Sequence, residues 1–141
     1  MIYFLDASAL AKRYLVEVGT DRVRLLFRRN AEIVVSRISE VEVASALVRR
    51  MSAGDLDEHD AEMHLATLTQ DMAAFAVVEI RKPVVASARE LVREHGLRAY
   101  DAMQLAAALR AKGTAPITFL CADGELADAA VAERLRVERL G

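Results

Sequence analysis

Four carboxylates occupy positions where an acid is expensive. Ile2-Tyr3-Phe4-Leu5 runs directly into Asp6, and Ile117-Thr118-Phe119-Leu120-Cys121-Ala122 runs into Asp123. Glu42 sits within Val41-Glu42-Val43-Ala44, and Asp101 within Ala99-Tyr100-Asp101-Ala102-Met103. A carboxylate withdrawn from water must be paired, hydrogen-bonded or bound to a metal. Hard divalent cations such as Mg2+ take oxygen ligands, usually one or two direct carboxylates with waters completing the shell. Four such acids brought together therefore describe a pocket for a divalent cation. A cation held there lowers the pKa of a water and neutralises charge on a phosphate, and a pair of ions could serve both the attacking and the leaving oxygen. Without a cation the four would repel one another, raising some of their pKa values.

Each acid also has a purely structural explanation. Asp6 and Asp123 both precede a predicted helix, and Asp is a preferred N-cap. Asp101 falls in a first helical turn, where negative charge complements the macrodipole. Ser39 and Glu42 have the spacing of a capping box. The joint pattern favours a site, because Asp101 shares a helical face with Leu97, Leu105 and Ala108 and so points toward the core. Glu42 is less decided. Periodicity places Glu40, not Glu42, nearest the centre of the apolar stripe of Ala44, Leu47 and Met51.

Elements that position these residues can be read from hydropathy and breakers. Residues 2–5 are a short buried strand, followed by helix to about Val16. Gly19-Thr20 start a second helix, with Thr20 as its N-cap, and Ile33-Val34-Val35 is a second strand. Helix follows from Ser39 to about Met51, and Asp57 caps another that carries Leu65, Leu68 and Met72 on one stripe. Phe75–Ile80 is a third strand, Pro83 suits the first turn of the next helix, and Gly96 closes it. An alanine-rich helix covers 99–111, Ile117–Leu120 is a fourth strand, a helix starts at Asp123, and an edge strand lies near Val137. Such alternation predicts an α/β fold with three α/β/α layers and a short, mostly parallel central sheet. In these sheets ligands bind beyond the carboxyl ends of the strands, where Asp6 and Asp123 both fall.

Length and composition bound the rest. The chain has 141 residues, 54% hydrophobic, with two prolines and a single cysteine, Cys121. That is expected of one domain, 1–141, with a substantial core and no internal disulfide, matching a reducing cytosol. Neither a signal peptide nor a bilayer-length apolar run is visible, so a soluble cytoplasmic protein without membrane contact is expected. Net charge is −2, and 16 of the 19 basic residues are arginine. Arginine suits phosphates, but solvated surface arginines explain the same count, and composition alone establishes no nucleic-acid partner.

Other chemistries lack their residues. His59, His64 and His95 form no HExxH pattern, one cysteine makes no zinc knuckle, and Walker A, GxGxxG and G-x-S-x-G sequences are missing. The histidines read as surface or packing residues, and Met63, Met72 and Met103 as core filler. One alternative is a Mg2+-dependent phosphoryl-transfer protein of receiver or phosphatase type. It would want a second acid beside Asp6 and a lysine after a late strand, and neither is present. A second alternative is a non-catalytic α/β module that binds RNA or a peptide.

The assembled segments resemble the PIN-domain ribonucleases, specifically the VapC-type toxins of toxin–antitoxin pairs. Phe4-Leu5-Asp6-Ala7-Ser8-Ala9-Leu10 with Lys12 is similar to that family's first motif. Ser36-Arg37-Ile38-Ser39-Glu40-Val41-Glu42-Val43, with Ala46-Leu47 and Arg49-Arg50, is similar to the second. Leu97 to Ala106 is similar to the third, and Phe119-Leu120-Cys121-Ala122-Asp123-Gly124-Glu125-Leu126 to the last. The motifs stand in family order across nearly the whole chain.

The resemblance implies an Mg2+- or Mn2+-dependent endoribonuclease acting on structured RNA such as tRNA or rRNA. Asp6, Glu42 and Asp101 would hold the catalytic metal, and Asp123 a second ion or its waters. It assigns the second acid to Glu42, with Glu40 in reserve. Ser8 matches the hydroxyl that follows the first acid, where it would fix a metal-bound water. Cys121 departs from the Thr or Ser of many relatives. A homodimer and a cognate antitoxin that covers the acidic groove are likewise implied. Arg13, Arg49, Arg50 and Arg98 are candidates to contact phosphates.

Overall fold

The computed structural model describes residues 1–113 and 115–141. Five strands, β1 (Ile2–Leu5), β2 (Glu32–Ser36), β3 (Ala76–Val78), β4 (Ile117–Cys121) and β5 (Arg136–Arg139), form one sheet in the order β3-β2-β1-β4-β5. Every neighbouring pair is parallel. The central strands β1 and β4 are covered on both faces, which explains their largely apolar runs, whereas the edge strand β5 (Arg136–Arg139) alternates with charge. Successive residues nevertheless divide between the faces. Phe4, Val34 and Phe119 pack on one side, with Phe4 and Phe119 stacked at 5.6 Å across the β1–β4 register. Leu5, Ile33, Val35 and Leu120 pack on the other.

The helices complete three layers. On the first face lie α5 (Lys82–His95), α6 (Ala99–Lys112) and α7 (Gly124–Ala132), contributing Leu91, Leu105 and Leu126 to the core. On the second lie α1 (Ala7–Ala11), α2 (Thr20–Arg28), α3 (Ser39–Ser52) and α4 (Glu58–Ala74), contributing Leu10, Leu26, Leu47 and Leu68. The α/β/α architecture and parallel sheet are those expected from the alternation. The order in which successive strands are added reverses between β1 and β4, which makes their carboxyl ends the switch point of the sheet. Among the described residues no helix is long and apolar enough to cross a membrane.

Several local expectations are corrected. The first helix ends at Ala11, and i→i−3 bonds carry the chain on through Tyr14. Thr20 is the first residue of α2 rather than its cap. Its hydroxyl donates to the Leu15 carbonyl at 2.7 Å and accepts the Glu17 amide at 2.9 Å, which turns the chain there. Gly19 caps α2 at φ 93°, and a Cβ at that position would stand 2.8 Å from the Leu140 carbonyl oxygen. The third strand spans three residues, not six, because Phe75 still ends α4 and packs against Phe27 at 5.9 Å. Met63 is 55% exposed and fills no core, whereas Met72 is buried.

Candidate active site

Asp6 follows the last residue of β1, and its amide donates to the Leu120 carbonyl at 3.1 Å, extending the β1–β4 pairing. Its Oδ1 accepts from the Ala9 amide at 2.9 Å and from Ser8 Oγ at 2.7 Å. The residue is thus the N-cap of α1, but the cap occupies one oxygen only. Asp6 is 3% exposed. Burial pushes its carboxyl up from 3.8 to about 7, against the two hydrogen bonds, and the charges of Glu42 and Asp101 add to the rise.

Asp123 repeats the design at the end of β4. Its Oδ1 accepts from the Leu126 amide at 2.9 Å as the N-cap of α7, and its other oxygen faces Arg98 at 3.8 Å. Capping engages one oxygen of each residue, so a cap and a ligand are not exclusive readings of either. Asp101 is the third residue of α6, with Arg98 at 4.0 Å, and lies half-buried. Burial, then the neighbouring Asp123 charge, raises its carboxyl pKa.

Glu42 lies in the first turn of α3, where no capping box forms. Ser39 Oγ and Glu42 Oε1 instead each accept from Gln104 Nε2 at 2.9 Å. Burial raises the Glu42 pKa, and the Gln104 bond opposes it. The inward face of α3 is Ser39-Val43-Leu47, not the Ala44-Leu47-Met51 stripe chosen by periodicity. From that line Glu40 lies roughly 60° to one side and Glu42 roughly 100° to the other. Glu42 borders the cavity, while Glu40 turns outward to Arg37 at 3.4 Å, which also binds Glu79 at 2.7 Å.

Asp6, Glu42, Asp101 and Asp123 line one cavity of about 380 Å3, together with Ser8, Gln104, Arg98 and Tyr100. The structure therefore brings all four predicted acids together and leaves Glu40 outside. A larger groove of about 810 Å3 continues from it along Ala11, Leu15, Ile38, Val41, Arg49 and Arg50. Four carboxylates face a single cation, Arg98, whose side chain is 82% exposed. No lysine borders the cavity, so the receiver or phosphatase arrangement finds no support in the geometry.

The donors are all oxygens, which fits a hard divalent cation. Cys121 contributes no thiolate, since burial and the charges of Asp6 and Asp123 push its thiol up to about 12. Its S–H instead contacts the Asp123 carbonyl oxygen at 3.6 Å. The four acids are not drawn into a tight knot. Among the described residues the group with ligand atoms within 4.8 Å of one another is Glu94-His95-Glu133, none of which borders this cavity. Wider spacing suits an ion that keeps several of its waters, as Mg2+ does.

Sequence comparison decides the family. The model of the PIN domain matches residues 3–132. The chain belongs to the PIN-domain family. Ribonucleases VapC45 and VapC49 of two Mycobacterium tuberculosis strains are each 34% identical to it over 113 residues, covering 77% of this chain and 75% of theirs. That places it among the VapC-type members. The fold is shared with FitAcB from Neisseria gonorrhoeae at TM-score 0.69, 19% identity and coverage of 97% and 96% of the two chains. PAE2754 from Pyrobaculum aerophilum superposes at TM-score 0.68, 22% identity and coverage of 92% and 84%. VapBC2 from Rickettsia felis, solved with a promoter DNA fragment, gives TM-score 0.65 at 15% identity over 100% of both chains.

Within this PIN domain, Ser8 donates its one proton to Asp6 and accepts the Ala122 amide at 3.0 Å. Gln104 is a part of the site that hydropathy and spacing do not single out. Its signal was a lone amide in an otherwise apolar stretch, one turn beyond Asp101. Arg13 forms a bidentate pair with Asp71, covers the Phe27 ring at 3.8 Å and borders neither the cavity nor the adjoining groove. That arginine is committed to packing, whereas Arg98 stands at the cavity mouth.

Proposed function

We propose that this protein is a divalent-cation-dependent endoribonuclease and the toxin of a toxin–antitoxin pair. The observation that carries the reading is the convergence of Asp6, Glu42, Asp101 and Asp123, from four separate segments, on the carboxyl edge of β1 and β4. Asp6, Glu42 and Asp101 would hold Mg2+ or Mn2+, and Asp123 a second ion or its waters. When bound, the ion supplies a water of lowered pKa and screens the phosphate charge. The chain's own residues do the positioning. Ser8 and the Ala9 amide fix Asp6, the Leu126 amide fixes Asp123, and Gln104 fixes Glu42. Arg98 offers a guanidinium to a phosphate approaching the mouth. Water adds to phosphorus, the bond to the leaving ribose oxygen breaks, and the protein forms no covalent intermediate.

Names of the similar proteins support the partner as well as the reaction. The M. tuberculosis relatives are ribonucleases, and the R. felis structure is a VapBC assembly. A cognate antitoxin laid over the acid cavity and the adjoining groove would block substrate entry. Structured RNA such as tRNA or rRNA as substrate, a homodimer, and a cytoplasmic location complete the proposal.

The test is cleavage of a labelled structured RNA by purified protein in Mg2+ or Mn2+, with and without EDTA. Wild type should cleave only with the cation, and Asp6→Asn should be inactive while folded by circular dichroism. Cleavage by Asp6→Asn at the wild-type rate would falsify the assignment.

A further inference from the structure

Glu42 depends on one side chain. Among the described residues the only hydrogen bond to its carboxylate comes from Gln104 Nε2 at 2.9 Å. Asp6 is held by two donors and Asp123 by a backbone amide of its own helix, so neither relies on a distant residue in this way. Glu42 belongs to α3, on one face of the sheet, and Gln104 to α6, on the other. The bond therefore reaches around the sheet edge and joins the two outer layers at the cavity.

Gln104 is 1% exposed, and it is the one buried polar side chain among the described residues of α6. Both hydrogens of its amide nitrogen are used, one by Ser39 Oγ at 2.9 Å and the other by Glu42. Its Oε1 is buried without a partner. The reverse orientation of the amide would set that oxygen against a carboxylate, acceptor facing acceptor, so the nitrogen must face Glu42. A buried amide with an orphaned oxygen is a liability that leucine or methionine would avoid at equal volume. Packing therefore gives no reason for glutamine here, whereas orienting a carboxylate does.

We infer that Gln104 is a positioning residue, whose amide holds Glu42 in the orientation that faces Asp6 across the cavity. This rests on the cation-site reading proposed above. Ser39 is part of the device, since it fixes the rotation of the amide and leaves the second N–H directed at Glu42. Outer-shell partners of this kind typically change metal affinity by about 10–100-fold when removed.

The experiment is Mn2+ titration of the purified protein by calorimetry, with unfolding temperature measured in EDTA. The set is wild type, Asp6→Asn, Glu42→Gln, Gln104→Met and the double variant Glu42→Gln/Gln104→Met. Gln104→Met should weaken Mn2+ binding by about 10-fold or more while the metal-free unfolding temperature is retained. In the Glu42→Gln background the same change should cost nothing further, because the carboxylate it orients is gone. Equal affinity in wild type and Gln104→Met overturns the inference, as does an equal loss in both backgrounds. If wild type and Asp6→Asn bind Mn2+ alike, the cation-site reading itself fails. Should Gln104→Met not fold, Ser39→Ala serves in its place, since it keeps Gln104 and Glu42 and frees only the amide's rotation. It should weaken Mn2+ binding measurably, and unchanged affinity counts against the inference.

Discussion

Ser8 Oγ stands 2.7 Å from Asp6 Oδ1 while accepting the Ala122 amide at 3.0 Å, so one hydroxyl ties the carboxyl ends of β1 and β4 together. These are the two strands between which the order of strand addition reverses, and each delivers one of the acids. Ser8→Ala should leave the Ala9 amide as the sole hydrogen-bond donor to Asp6. Cleavage is expected to fall about 10- to 100-fold, as for other partners of ligating carboxylates. Steady-state rates on one RNA, beside an unfolding curve, measure the effect. A rate within twofold of wild type would show that the hydroxyl is dispensable.

Asp6 makes the cation-free protein sensitive to pH. Its carboxyl titrates near 3.8 when unfolded and is raised to about 7 when folded, chiefly by burial. Below the lower value it is protonated in both states and carries no penalty. As pH rises from about 4 to about 7 the unfolded chain releases this proton first, and stability falls. Glu42 and Asp101, shifted the same way, add to the slope. Asp6→Asn keeps an acceptor for Ala9 and removes the charge, so in EDTA at pH 8 it should be more stable than wild type. The gain is on the order of a few kcal/mol and should shrink toward pH 4. Thermal unfolding across this range checks it; parallel curves for the two proteins would refute the buried-charge explanation.

Glu40 and Glu42 differ by two positions and point to opposite flanks of α3. Glu42→Ala should reduce cleavage by at least about 100-fold, the upper range for losing a ligand or its orientation. Glu40→Ala removes an exposed partner of Arg37, which keeps Glu79, and should change stability by less than about 1 kcal/mol. Its cleavage rate should stay near that of wild type. Equal losses from the two substitutions would return both residues to a structural role.

The same pair shows how far sequence reading reaches. The mostly parallel sheet and the placing of Asp6 and Asp123 at one edge follow from short apolar runs that end in an acid. Asp101 follows from helical phase, because its helix start is marked and its apolar face is wide. Glu42 does not, since helical phase measures distance from the core and not which flank of α3 meets the cavity. With Ser39-Val43-Leu47 as the inward line Glu40 is still the nearer in phase, and Glu42 borders the cavity because Gln104 and the other acids stand on its flank. Gln104 escaped for a related reason. Its partner lies 62 residues away on the far side of the sheet, and only the packed fold brings them together.

Arg98 and Arg13 should separate binding from stability. Arg98 is 82% exposed at the cavity mouth, so Arg98→Ala should leave unfolding nearly unchanged. Its KM for RNA should rise, and the slope of log affinity against log salt should flatten by about one phosphate contact. Arg13→Ala removes a bidentate partner of Asp71 and the cover of Phe27, and should lower stability without altering that slope. A salt slope that responds to Arg13 and not to Arg98 would reverse the assignment.

Lys12 poses the opposite problem to Asp6, a buried cation. Its side chain is 6% exposed and its ammonium is 3.1 Å from Glu17, whose own side chain is 33% exposed. Arg50 approaches the same carboxylate at 3.7 Å, so Glu17 answers two positive charges. Removing one partner of a buried pair leaves the other charge uncompensated, which costs about 3–5 kcal/mol when both are fully buried. Solvent around Glu17 moderates that figure, and Glu17→Ala should destabilise the fold by about 2 kcal/mol. Adding Lys12→Met to Glu17→Ala should recover most of the loss, because the stranded charge is then gone and the volume is kept. Denaturant unfolding of the two single variants and the double provides the cycle. Additive losses would mean that the two residues act independently and that Lys12 is held by packing alone.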